Sequence, residues 1–159
     1  MNKVNLPKLQ DALRVHIDLE LTIAEFYKTC AEKWPEDGAF WMDVSKQELQ
    51  HAKYIEQMSN IISNRLDKFA LGRSCNPVAI NTIISGIKKN IDLVKADSLT
   101  QIKALYIASD IEKSALESKI DEIVKTGDLE CLELVREIVL QTEKHREQFN
   151  DKIAMMKAD

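Results

Sequence analysis

Apolar residues recur at spacings of three and four along four long stretches of this chain, a pattern typical of helices with one buried face. In the second stretch this face runs through Trp41, Val44, Ile55, Met58 and Ile62. Glycine and proline, which interrupt helices, number only 4 and 3 among 159 residues. Because a chain of this length fits one core, the sequence predicts a single all-α domain over residues 1–159.

Turn signals place the first two helices next to each other in a hairpin. Asn5 and Pro7 are suited to opening a helix, and the segment 34–38, Trp-Pro-Glu-Asp-Gly, ends it. We expect the second helix to run from about Ala39 to about Leu66. The short link between the two helices predicts that they are antiparallel neighbours.

A long crossover with its own short helix separates this hairpin from a second one. The segment 69–75 breaks the helical pattern, and Asn76-Pro77 supplies a cap and a first-turn proline. Residues 98–101, Ser-Leu-Thr-Gln, read as a capping box for a third long helix that ends at Gly127, with Asp128 capping the fourth. Two antiparallel hairpins joined by a long crossover predict a four-helix bundle.

The charge balance and the lack of long apolar runs limit the partners of this protein. Its net charge is −4 and its isoelectric point about 5.5, so no basic face is available for a nucleic acid. No stretch approaches the roughly 20 apolar residues of a membrane span, and the N-terminal residues are too charged for a secretory signal. We therefore expect a cytoplasmic protein that binds neither nucleic acid nor membrane.

The three cysteines, Cys30, Cys75 and Cys131, are odd in number and far apart. Their spacing gives neither a disulfide framework nor a metal-binding Cys-x-x-Cys pair. Cys30 and Cys131 fall on helical faces that we place in the core. Reduced thiols that pack as small apolar groups are the expectation.

Polar residues interrupt the apolar face of every long helix near its middle. The interrupting residues, in chain order, are His16, Glu20, Glu48, His51, Glu112, Thr142 and His145. Folding the helices as two hairpins brings these positions to comparable levels, so we expect them to converge in one layer of the core.

A buried layer that contains three glutamates is stable only if their negative charge is offset. A buried, unpaired carboxylate costs several kcal/mol, and three glutamates would repel one another unless protonated, paired or bound to a cation. Carboxylate oxygens and imidazole nitrogens suit iron, manganese or zinc better than calcium. A metal centre explains the whole set, and the alternative is a core that keeps buried hydrogen bonds without metal.

The motifs around these residues resemble the rubrerythrin and bacterioferritin branch of the ferritin-like superfamily, over nearly the whole chain. Residues 48–51, Glu-Leu-Gln-His, match the Glu-x-x-His motif of that branch, and residues 19–27 are similar to its first helix. Residues 110–117 repeat residues 18–25, which makes Glu112 the counterpart of Glu20. The resemblance implies a ferritin-like bundle with a di-iron carboxylate site.

The same resemblance implies which residues bind the metals, and one ligand that the family has is missing from this sequence. The metal ligands that it implies are Glu20, Glu48, His51, Glu112 and His145. Thr142 stands where the second Glu-x-x-His motif has its bridging glutamate, and Glu143 is turned about 100° away along the helix. We therefore expect one metal to bind tightly and a second weakly or not at all.

Three more residues are expected next to the ligands, either supporting them or replacing the missing one. His16 lies one turn before Glu20 on the same helical face. Tyr27 is placed to hydrogen-bond a carboxylate from the other side, and Thr142 occupies the position of the missing ligand.

The leading functional hypothesis is a rubrerythrin-like non-haem iron oxidoreductase that reduces peroxide or dioxygen, or oxidises ferrous iron. Because this sequence has no Cys-x-x-Cys pairs of a rubredoxin module, its electrons would come from a separate donor protein. The alternative is a non-catalytic bundle with one structural metal or a degenerate empty site, acting as a binding or storage module. A helical interaction module without metal comes third, and in each case we expect a homodimer.

Overall fold

The computed structural model describes residues 6–72, 76–117 and 120–159 and is mostly helical. The predicted all-α class is confirmed. The helices and strands are α1 (Leu6–Lys33), α2 (Gly38–Asn64), β1 (Phe69–Leu71), α3 (Pro77–Lys95), α4 (Gln101–Glu117), α5 (Ile120–Ile123), β2 (Val124–Thr126) and α6 (Leu129–Ala158).

The long helices form two hairpins that pack side by side. A 3-10 turn, Pro35–Asp37, joins α1 to α2, and these two helices pack along their length. Helices α4 and α6 form the second hairpin, which touches the first mainly through α2 and α6. The crossover helix α3 packs on the outside of α1. Both predicted hairpins are therefore present, and all four long helices border a shared interior.

Two of the predicted helix caps are confirmed. The side chain of Asn76 accepts hydrogen bonds from the backbone N–H groups of Val78 and Ala79 at the start of α3. The side chain of Asp128 accepts one from the N–H of Cys131, at 3.1 Å, at the start of α6. Each cap satisfies N–H groups that have no partner within the helix.

The predicted capping box at residues 98–101 is wrong by two residues. Helix α3 ends in a Schellman motif, in which Asp97 has a left-handed φ of 59° and the N–H of Ser98 bonds to the carbonyl of Leu93. Ser98 therefore belongs to the end of α3. The hydroxyl of Thr100 caps α4 instead and accepts from the N–H of Lys103 at 3.4 Å.

The prediction that the third helix continues to Gly127 is also wrong. After α4 and the short α5, strand β2 pairs antiparallel with β1, so that Phe69 faces Thr126. The N–H of Gly72 bonds to the carbonyl of Ile123 at 2.8 Å, and a Cβ at Gly72 would lie 2.1 Å from the carbonyl oxygen of Glu122. Only glycine fits this approach, which ties the crossover to the second hairpin.

Two apolar clusters fill the interior, one towards each end of the long helices. The first includes Leu19, Phe26 and Trp41, and the second includes Leu13 and Met58. The polar residues predicted to converge lie on the helices between these clusters. The core is therefore divided by a polar layer.

Two cysteines lie in these clusters as predicted. Cys30 and Cys131 are buried free thiols, and burial raises the pKa of Cys131 to about 11. Thiols with a raised pKa are poor nucleophiles and metal ligands. The third, Cys75, falls outside the described residues.

A polar cluster at one end holds three elements together. The carboxylate of Asp37 accepts hydrogen bonds from Gln101 Nε2, at 2.6 Å, and from Lys152 Nζ, at 2.7 Å. It thereby connects the turn of the first hairpin to both α4 and α6.

Within the described ranges, no helix has the length and apolar character of a membrane span.

Candidate metal centre

The five predicted ligands are brought together in the polar layer. Glu20 comes from α1, Glu48 and His51 from α2, Glu112 from α4 and His145 from α6, and each is buried. Their ligand atoms form two groups, and the atoms within each group lie within 4.8 Å of one another. One group is Glu20, Glu48 and His51. The other is Glu48, Glu112 and His145. Each group offers two carboxylates and one imidazole, and Glu48 belongs to both.

Glu48 lies between the two histidines. Its Oε2 is 3.2 Å from Nδ1 of His51, and its Oε1 is 2.8 Å from Nδ1 of His145. The imidazole rings are stacked, with centroids 5.8 Å apart and planes inclined by 23°. Glu20 approaches the Nδ1 of His51 at 3.7 Å, and Glu112 approaches that of His145 at 3.4 Å. The carboxylate of Glu48 is therefore shared by the two groups of candidate ligands.

The orientation of His51 is fixed by a pair of residues on α6. Its Nε2 lies 2.6 Å from Oε1 of Gln141, and Nε2 of Gln141 donates to Glu137 at 3.0 Å. Because that donation turns the amide oxygen towards the ring, His51 Nε2 carries the proton and donates it. The Nδ1 atom of His51 therefore faces the centre, where a neutral ring offers it as a ligand.

His145, on α6, is oriented in the same way by two residues on α2. Its Nε2 lies 2.5 Å from Oε1 of Gln47, and Nε2 of Gln47 donates to Asp43 at 3.1 Å. Sequence reasoning missed both glutamines, which are only partly buried and lie off the apolar faces. One feature of the sequence could have indicated them, because each glutamine lies four residues before a candidate ligand, Gln47 before His51 and Gln141 before His145.

Protons offset part of the negative charge in this layer. Burial and the charges of Glu112 and Glu20 raise the pKa of Glu48 well above its usual range. Burial lowers the pKa of His51, but the hydrogen bonds and charges of Glu20 and Glu48 outweigh burial and raise it to about 10. Burial raises the pKa of Glu20, but its contacts with Glu48 and His51 lower it overall. A bound cation would replace these protons.

Tyr27 contacts one carboxylate of the centre, as predicted. Its buried hydroxyl donates a hydrogen bond to Oε1 of Glu112 at 2.5 Å. Burial and the neighbouring charges of Glu112 and Glu48 raise its pKa well above the usual value. The phenol therefore keeps its proton and holds Glu112 in one orientation.

Thr142 faces the interior, but its hydroxyl is bonded to its own helix. It is 4% exposed and donates to the carbonyl of Ile138 at 2.7 Å. The next residue, Glu143, is exposed, in agreement with the prediction that it cannot replace the missing carboxylate. Helix α6 therefore contributes one imidazole, that of His145, and no carboxylate to the centre.

Three polar atoms of the layer have no hydrogen-bond partner within the described part of the chain, although one of them, Glu20 Oε2, lies 3.7 Å from Nδ1 of His51. They are His16 Nε2, Glu20 Oε2 and Glu112 Oε2, and all three are enclosed. Buried polar atoms without a partner are costly, and they mark places where an ion or a water completes the structure. The free carboxylate oxygens belong one to each half of the centre, so the residues present fit divalent cations.

Comparison with known protein families, with curated proteins and with solved structures finds no match for this chain.

Proposed function

We propose that this protein is a ferritin-like metal-binding protein, similar to rubrerythrin, that holds iron in its polar layer for oxidation and reduction. The observation that supports the proposal is the meeting of three carboxylates and two imidazoles in a buried layer, with one carboxylate oxygen on Glu20 and one on Glu112 that accept no hydrogen bond among the described residues. Such a set suits iron, with manganese and zinc as further candidates.

The residues of each half have distinct tasks in this proposal. Glu20 and His51 would hold one metal and Glu112 and His145 the other, with Glu48 shared between them. Bound iron would supply electron exchange with peroxide or dioxygen, or would itself be the ferrous substrate. The apolar clusters on either side exclude water, and Tyr27 keeps Glu112 oriented. Reducing electrons would come from a separate donor protein.

Peroxide consumption by the iron-loaded protein tests this activity. Glu48→Gln keeps the size of the shared ligand but removes its charge, so we expect peroxide turnover to fall to background. Glu143→Gln makes the same chemical change on an exposed part of α6 and serves as the control. Equal turnover in both variants and the wild type would rule out chemistry at this centre.

A second candidate is a structural role for a single metal, with no catalysis. It is favoured by Thr142, whose bonded hydroxyl leaves the α6 side of the centre without a carboxylate. Three ionised carboxylates carry a charge of −3 against +4 for two divalent cations, which favours binding of only one. In this case chelation lowers the melting temperature while peroxide turnover stays at background in every variant.

A further inference from the structure

Three aromatic rings connect the polar layer to the end of the first hairpin. Tyr27 donates a hydrogen bond to Glu112 at 2.5 Å, and its ring packs on Trp41 with the centroids 5.9 Å apart. The ring of Trp41 in turn has its centroid 6.5 Å from that of Trp34. Both separations are typical of aromatic rings in direct contact. The rings thus form a continuous row that starts beside a candidate ligand and ends in the link between α1 and α2.

Of these three rings, that of Trp34 is the one that reaches solvent. Tyr27 and Trp41 are completely buried, whereas Trp34 is partly exposed. A dissolved oxidant or reductant can therefore touch Trp34 but neither of the other two rings. An electron exchanged between Tyr27 and solvent along this row has to pass through both tryptophans.

The two buried rings differ in what becomes of their protons when they are oxidised. A phenol that loses an electron becomes strongly acidic, and the Tyr27 hydroxyl has a carboxylate oxygen within hydrogen-bond reach to accept its proton. The Nε1–H of Trp41 is buried and has no acceptor among the described residues. Oxidised Trp41 would therefore keep its proton and remain a buried cation, which is unfavourable. Trp41 is suited to passing an electron on, and Tyr27 to being the residue that stays oxidised.

We propose that Trp34, Trp41 and Tyr27 are a path for single electrons between the surface and the polar layer, with Trp34 as the point where electrons enter. This inference rests on the proposed reduction of peroxide or dioxygen, for which the electrons have to come from outside the chain. The partner at Trp34 is accordingly a one-electron donor.

Each electron that passes leaves the path itself unchanged. Tyr27 gives one electron to the oxidised centre, and its hydroxyl proton moves to Glu112. One electron from Trp41 then reduces the tyrosyl radical, and the proton returns from Glu112 to the phenol oxygen. Trp41 is reduced by Trp34, and Trp34 by the external donor. Reduction of one peroxide to two water molecules takes two electrons and two protons from solvent, so the path is used twice for each peroxide.

Photogenerated tris(bipyridine)ruthenium(III), a one-electron oxidant in solution, tests the path from its outer end in the metal-free, full-length protein. The other two tyrosines, Tyr54 and Tyr106, are first replaced by phenylalanine, so that any tyrosyl radical belongs to Tyr27. Oxidation of Trp34 draws an electron outward from Tyr27 through Trp41, and ruthenium(III) becomes ruthenium(II). We expect electron paramagnetic resonance after illumination to show a tyrosyl radical.

Three variants in this background identify the route. Trp34→Phe and Trp41→Phe each remove a ring that can be oxidised but keep an aromatic side chain, so the tyrosyl signal should fall to background. Phe26→Leu is the control, because Phe26 is also completely buried and packs on Tyr27 at the same centroid separation of 5.9 Å. Phenylalanine is not oxidised by this reagent, so this variant should keep the full signal. The melting curve of each variant verifies that it folds.

The outcomes separate the path from the function on which it rests. A tyrosyl radical that requires both tryptophans supports the proposal. A radical of equal yield in Trp41→Phe, or a tryptophan radical alone in the protein that keeps both tryptophans, overturns the path and leaves the metal site in place, because no metal is present in this measurement. Absence of peroxide consumption by the iron-loaded protein would refute the proposed function, and with it the task of the path, even where the radical forms.

Discussion

Thr142→Glu adds the carboxylate that α6 lacks at the position three residues before His145, and its effect on stability should reverse when metal is added. Position 142 is 4% exposed and borders a layer that already holds three carboxylates. Without metal, a fourth buried charge costs about 3–5 kcal/mol, because no partner neutralises it. For a chain of this size each kcal/mol lowers the melting temperature by about 2–4 °C. We therefore expect a fall of roughly 6–20 °C in the metal-free variant.

Metal should more than offset this loss. A cation present at about 1,000 times its dissociation constant stabilises the folded state by about 4 kcal/mol for each site filled. With four carboxylates the charge of two divalent cations is balanced, so the variant should take up one more metal per chain than the wild type. Melting followed by circular dichroism, with and without ferrous iron under anaerobic conditions, measures both effects.

Thr142→Gln is the matched control, since it has nearly the size of glutamate but no charge. It should show a smaller loss of stability and no additional metal. If Thr142→Glu and Thr142→Gln melt alike without metal and bind equal amounts of iron, position 142 does not limit the charge balance of the centre.

Three other substitutions test separate contacts. Tyr27→Phe removes the hydrogen bond to Glu112 and should destabilise the metal-free protein by about 1.5–3 kcal/mol in urea titrations, as expected for a buried bond to a charged group; an unchanged midpoint would contradict this. Gln141→Leu removes the acceptor that orients His51, so metal affinity measured by calorimetry should fall about 10- to 100-fold. Asp37→Asn should cost about 1 kcal/mol at neutral pH. Its lysine neighbour lowers the Asp37 pKa in the folded state, so the difference from wild type should be full above about pH 4 and shrink as the pH falls below it; a difference that grows in acid would contradict the ion pair.

The convergence of the five candidate ligands could be predicted because helical periodicity fixes which side chains share a face. Glu48 and His51 are three residues apart on an apolar stripe, and a polar residue on such a stripe must point inwards. Short links then set the heights of neighbouring helices, which placed Glu20 beside Glu48 and Glu112 beside His145. These are local rules, and they were sufficient to bring the five residues together.

The remaining features depend on contacts between distant segments. Gln141 reaches His51 across the interface of α2 and α6, and its position four residues before His145 is the one local sign that distinguishes it from a surface residue. The end of the third helix was misplaced because β2 pairs with β1 more than fifty residues earlier in the chain. Thr100 replaced Ser98 as a cap because the end of α3 had already used the Ser98 N–H. Sequence alone does not show such competition.

We propose above that the polar layer holds a divalent metal. Anaerobic equilibrium dialysis of the metal-free protein against ferrous iron, followed by metal analysis, tests it directly. We predict at least one iron per chain in the wild type and a marked loss in Glu48→Gln, which removes the charge of the shared ligand. If the folded wild-type protein retains no iron, the polar layer is not a metal site.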